Sequence, residues 1–132
     1  NKPFIATHSD SRTITQNPRN LTDEQIKIII SRGGIIGLNL HNAFLNNNPD
    51  KACTEDILRH CEYMLSLGCE NFLCFGTDFD GCDLPKDIVG SDSIGGIYEL
   101  FLKNNYNESI LKKIFYENAY KFFENFDNQR IM

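Results

Sequence analysis

The sequence predicts an α/β fold built on a parallel sheet. Three observations predict it. Apolar runs of strand length alternate with stretches of helical periodicity, in the order β-α-β-α-β-α plus a terminal helix. The middle run, Ile35 to Leu40, is apolar almost throughout, as a strand covered on both faces must be. The chain has 132 residues and is 41% hydrophobic, which suffices for one domain with a real core. Parallel strands need right-handed crossovers, and these bring all the carboxyl ends to one edge of the sheet.

The elements follow in order. Lys2 to Thr7 reads as a short first strand. Thr22-Asp23-Glu24-Gln25 is a capping box, in which the Thr hydroxyl accepts from the first turn and Gln25 reaches back. The helix it opens runs through Ile26, Ile29 and Ile30 and stops at Gly33-Gly34. Ile35 to Leu40 is the second strand, and an Asn-rich loop is expected from Asn42 to Lys51. Ile57, Leu58, Cys61, Met64 and Leu65 recur at helical spacing up to Gly68. Asn71 to Gly76 is the third strand. A polar loop containing Pro85 and Gly90 leads to a helix around Ile94 to Leu102. Asn107 caps a last helix, with Ile110, Leu111, Ile114, Phe115, Phe122 and Phe123 expected on its buried side.

No linker and no internal repeat divides the chain, so residues 1–132 read as a single segment. Three strands cannot close a barrel. A TIM-type (β/α)8 barrel takes ~250 residues, so this length fits about three of its eight β/α units plus a terminal helix. The chain opens on Asn1, directly before a strand-like run, which suggests a piece of a longer protein.

Composition excludes several partners. The net charge is −5, and no basic patch is dense enough for nucleic acid or an anionic membrane. No apolar run approaches the roughly 18 residues that span a bilayer, and no leader is recognisable. Five cysteines occur, an odd number without a C-x-x-C pair. They read as reduced thiols, which implies a cytoplasmic setting. The N-x-S/T sequons at Asn20 and Asn107 both stand where a helix starts.

Polar residues collect at the strand ends: Thr7-His8-Ser9, Asn39-Leu40-His41 and Thr77-Asp78-Phe79-Asp80-Gly81. In parallel α/β proteins this is where chemistry resides. Three such endings, with His and Asp among them, point to a metal-assisted hydrolase. Each residue also has a plainer reading. A lone strand-end histidine such as His8 is more often structural. The Asp-Phe-Asp-Gly stretch reads equally as a turn, and its early glycine breaks the EF-hand calcium pattern. His60, inside a helix, reads as a packed or hydrogen-bonded residue. His41 either lines the pocket or starts the loop. Arg19 is a loop cation, and such a residue aimed into a pocket binds carboxylates.

His8-Ser9, Asn17 to Gln25, Gly33 to Asn39, the Asp78-Phe79-Asp80-Gly81 turn and Glu117 to Phe123 together resemble the renal (membrane) dipeptidase family of zinc metallopeptidases. The similarity runs over essentially the whole chain, in the family's order and spacing. The resemblance implies an amidohydrolase-type barrel with two zinc ions, acting on dipeptides. It implies that His8 is a zinc ligand and that Arg19 grips the substrate's terminal carboxylate. It places Asn39 with Arg19 on the substrate side and gives Asp78 the proton-handling role. The segment would then supply barrel units six to eight and the closing helix.

The departures bear on activity. The family's His-x-Asp pair, bridging glutamate, other zinc histidine and substrate-orienting histidine have no counterpart here and are expected upstream of Asn1. Leu40-His41 stands where family members carry an aromatic residue. The chain alone is therefore expected to be catalytically silent and to leave a sheet edge and apolar faces uncovered, favouring self-association or a homodimer. Another amidohydrolase-type hydrolase and a non-catalytic barrel remnant remain alternatives.

Overall fold

The computed structural model describes residues 2–131, with side chains to residue 129. Its sheet has three strands, β1 (Ile5–Ala6), β2 (Ile35–Leu38) and β3 (Leu73–Phe75), in that spatial order and all parallel. Ile5 faces Ile35 and Ala6 faces Ile36 across one ladder, while Ile36, Gly37 and Leu38 face Leu73, Cys74 and Phe75 across the other. The predicted α/β class and parallel sheet are present. Every residue of β2 is buried, as its apolar run demands.

Helices α1 (Asp23–Ser31), α2 (Asn42–Leu45), α3 (Thr54–Ser66), α4 (Ile94–Lys103), α5 (Glu108–Lys112) and α6 (Asn118–Ile131) surround it. The capping box forms as read: Thr22 Oγ1 accepts from the Gln25 amide, and the Gln25 side chain accepts from the Thr22 amide. Such a cap stabilises a helix by about 1 kcal/mol. The core joins Ile26 and Ile29 of α1, Ile57, Cys61 and Met64 of α3, Ile97 and Phe101 of α4 and Leu111 of α5 to the strands. Each such side chain contributes about 1.5–3 kcal/mol by leaving water. All five cysteines are free thiols. Among the described residues no helix is long and apolar enough to cross a membrane.

Five expectations are corrected. The first strand is shorter than Lys2 to Thr7, because the chain turns after Ala6. The Thr7 carbonyl lies against Gly37 and Gly76, where a Cβ on either glycine would overlap it. Only the Ser9 amide rejoins β2, donating to the Gly37 carbonyl at 2.9 Å. The second strand ends at Leu38 rather than Leu40, because the Asn39 amide turns to the Asp10 carboxylate instead of a neighbouring strand. The third strand is likewise trimmed to Leu73–Phe75. The Asn-rich loop contains α2 and a tight turn at Pro49–Lys51, because Phe44 and Leu45 bury themselves in its middle. The last helix is not continuous. Asn107 caps α5, its Oδ1 accepting from the Ile110 amide. A wide π-type turn then follows at Lys113–Glu117. The turn re-aims α6 so that buried Asn118 donates to the carbonyls of Glu70 and Leu73, at 2.9 and 2.8 Å. Phe122 is partly buried, but Phe123 stays half exposed.

Candidate active site

The three strand ends open onto one pocket. His8 follows β1, His41 follows β2, and Asp78 with Asp80 follows β3; Arg19 and Phe44 complete the wall. The structure therefore brings His8, Arg19 and Asp78 together. It places the fourth predicted residue, Asn39, behind the wall, fully buried.

His8 Nδ1 lies 2.6 Å from the Thr7 hydroxyl, which leaves Nε2 without a partner among the described residues. Arg19 is carried by a loop pinned from within. The Arg12 guanidinium donates to the carbonyls of Pro18 and Asn20, at 2.7 and 3.0 Å. Buried Asn20 donates through Nδ2 toward the carbonyls of Ser11, Thr15 and Phe44, at 3.4, 3.1 and 2.9 Å. Arg19 itself is exposed, with its guanidinium carbon 5.8 Å from the centroid of the Phe44 ring. Among the described residues it has no acidic partner. Cation–π contact holds it loosely and leaves its donors for a carboxylate.

His41 Nδ1 lies 3.1 Å from the Asp83 carbonyl, an acceptor, so that nitrogen carries the proton. The ring meets Phe44 edge-on at 4.6 Å. His41 thus lines the pocket and also opens α2, combining the two readings of it.

After β3 the backbone is strained. Asp78 and Asp80 have φ of +59° and +66°. Left-handed backbone at a non-glycine residue costs about 1–3 kcal/mol and persists where surrounding structure enforces it. Here the Gly81 amide donates to the Asp78 carbonyl at 2.9 Å. The Asp78 carboxylate lies in the space a Cβ at position 81 would take. Glycine leaves that space to the carboxylate, which any larger residue would push aside. The Cys82 thiol, pushed up to about 11 by burial and by the nearby charges of Asp78 and Asp83, is not a thiolate at neutral pH.

Two buried groups support the pocket from behind. Asp10 is fully buried, and loss of solvent pushes its carboxyl well above the usual range against the pull of the Asn39 amide. Nothing in the sequence marks Asp10, one polar residue in a polar run, as interior. His60 is packed and hydrogen-bonded, as expected of a residue inside a helix. Its Nδ1 accepts from the Ser11 amide at 3.2 Å, and its Nε2 lies 3.1 Å from the Leu45 carbonyl and from the Thr15 hydroxyl. Burial lowers its pKa to about 4, so it is the neutral, Nε2-protonated form that joins α3 to the Arg19 loop and α2.

Among the described residues no three His, Cys, Asp or Glu side chains gather closely enough to hold an ion. His8 and Asp78 share the pocket without completing a coordination set, for which three protein ligands are usual at catalytic zinc.

The family model described as membrane dipeptidase (peptidase family M19) matches residues 1–130. The chain belongs to the membrane dipeptidase family. A Klebsiella pneumoniae relative, an uncharacterized protein encoded in the pqqA 5' region, is 32% identical over 93% of this chain and 46% of its own. An uncharacterized dipeptidase of Schizosaccharomyces pombe is 26% identical over 76% of this chain and 24% of its own. Among solved family structures, a metallopeptidase from Rhodobacter sphaeroides bound to a phosphinate mimic of the dipeptide L-Ala-D-Ala superposes with a TM-score of 0.88. It is 30% identical over 94% of this chain and 36% of its own. The metallopeptidase dipeptidase AC also gives 0.88 at 30% identity, with 93% and 37% covered. The chain thus spans less than half the length of these family members.

Proposed function

We propose that the 132 residues are the C-terminal portion of a zinc-dependent dipeptidase built on a TIM-type barrel. The observation that carries this reading is the convergence of His8, Arg19 and Asp78 on one pocket at the carboxyl ends of parallel strands. In this reading His8 supplies one ligand to a two-zinc site, and the missing ligands come from chain beyond these residues. Bound zinc would supply a water acidified enough to attack near neutral pH.

The chain's own residues do the rest. Arg19 takes the substrate's terminal carboxylate with its free donors, which limits substrate length and orients the bond. Asp78, held by its left-handed backbone, accepts a proton at its carboxylate and returns it to the leaving amine. Asn39 serves the substrate side from behind, by holding the walls that carry His8 and His41. The open ladders of β1 and β3 favour association with further barrel strands or a second copy. The free thiols fit a cytoplasmic protein.

The test is dipeptide hydrolysis in zinc by this chain and by a chain of the length of its relatives. The longer chain is expected to hydrolyse and the 132 residues to be silent. His8→Ala in the longer chain should remove zinc and abolish turnover. Full zinc content and turnover in that variant would overturn the ligand assignment.

A further inference from the structure

We propose that Asp10 is a positioning residue for the pocket, acting through Asn39 to hold the His8 and His41 walls in register. The inference rests on the pocket being the substrate site. Asp10 and Asn39 are both 0% exposed. Asp10 Oδ1 accepts from the Asn39 amide at 2.9 Å. The Asn39 side chain then bridges two strand ends, donating through Nδ2 to the His8 carbonyl at 3.2 Å and accepting at Oδ1 from the His41 amide at 2.8 Å. The Asp10 carbonyl accepts from the Leu21 amide at 2.8 Å, which closes the base of the Arg19 loop. One buried pair therefore touches all three chain segments that deliver His8, Arg19 and His41.

The pair is a poor choice for stability alone. Asp10 Oδ2 has no hydrogen-bond partner among the described residues, although it is buried. A buried carboxyl with one idle oxygen is unfavourable, and an apolar residue of similar size would suit a purely structural core better. What the carboxyl does provide is a fixed acceptor for the main chain between the two walls. Buried polar groups of this kind hold one geometry at the expense of stability. His8 and His41 then depend on Asp10 for their spacing without touching it through their rings.

The test compares Asp10→Ala and Asp10→Asn with Ile114→Val, a mild core change near the terminal helix, in the longer chain of the length of its relatives. Amide hydrogen exchange at Asn39 and His41 is read by NMR, together with the ring 15N signature of His41 and with kcat and KM on a dipeptide. Asp10→Ala should speed exchange at both amides by about tenfold or more beyond Ile114→Val, since the Asn39 amide loses its acceptor and the His41 amide is left on an Asn39 side chain no longer held in place. It should also disturb the Nδ1-protonated signature of His41 and lower kcat more than it raises KM. Asp10→Asn keeps the Oδ1 acceptor and should rescue exchange and signature to within about threefold of the unsubstituted protein. If the alanine variant does not fold, Asp10→Leu keeps the volume without the acceptor and gives the same readout. Exchange no faster than in Ile114→Val, with an unaltered His41 signature, would overturn the positioning role. The expected exchange pattern in a protein that hydrolyses no dipeptide would uphold that role and sink the dipeptidase reading instead.

Discussion

Arg19 is exposed, stacked on Phe44 and unpaired by any acid among the described residues, so its charge is available to a ligand. Truncating it removes little from the fold. Arg19→Ala should shift stability by no more than about 0.5 kcal/mol, as exposed substitutions do. Loss of charged hydrogen bonds worth roughly 1.5–3 kcal/mol should raise KM for a dipeptide by about ten- to a hundredfold. Steady-state kinetics on a dipeptide and its amide separate this from a folding effect, since the amide lacks the carboxylate and should respond far less. Gly81 makes the reverse case. Gly81→Ala would displace the Asp78 carboxylate and should lower kcat while leaving zinc-free thermal stability nearly unchanged. Equal kcat values would argue against a role for Asp78 in proton transfer.

At the scale of elements, His60 is the joint between α3, α2 and the Arg19 loop, and it works only when neutral. Its folded pKa lies near 4 against about 6.5 in an unfolded chain. Above 6.5 both states are neutral. Below it the unfolded chain takes a proton that the folded chain refuses, so stability falls as pH drops from about 6.5 to 4. The total loss is about 3 kcal/mol. Asp10 has the opposite sign, because its raised pKa favours folding in acid. Denaturation at pH 7 and pH 4.5 should therefore be compared in an Asp10→Asn background, with and without His60→Gln. The pH slope should shrink when His60 is removed. Most elements were legible because their signals are local: the Thr22 cap, the Ile26-Ile29 stripe and the unbroken Ile35-to-Leu40 run. α2 was missed because four residues with one buried pair show no period. The strand ends were overestimated because Lys2 to Phe4, Thr7, Asn39, Leu40, Asn71, Phe72 and Gly76 carry nothing local that tells pairing from turning.

For the whole molecule, the parallel order of three strands explains why residues 8, 41 and 78 share one pocket despite the distance between them in sequence. That convergence was legible from strand order alone. The Asp10–Asn39 pair was not, since burial is a property of the assembled fold. Among the described residues the outer edges of β1 and β3 pair with no further strand, and Phe4, Tyr116, Tyr120, Phe123 and Phe126 are substantially exposed. Unpaired edges beside exposed aromatics recruit other chains. Sedimentation velocity over a hundredfold concentration range should show this chain gaining mass as concentration rises. A constant monomer mass would remove the case for self-association.

The wide turn at Lys113–Glu117 has a consequence for how the chain tolerates change in length. It uses one more residue than a regular helical turn, and that extra residue sets the rotation of everything after it. An in-frame loss of a single codon there would leave a smoother and intrinsically better helix. It would also rotate α6 by about 100°. Asn118 would swing away from the Glu70 and Leu73 carbonyls that it seals at the start of β3. Gene variants in this stretch should therefore accept exchanged letters far more readily than a changed count.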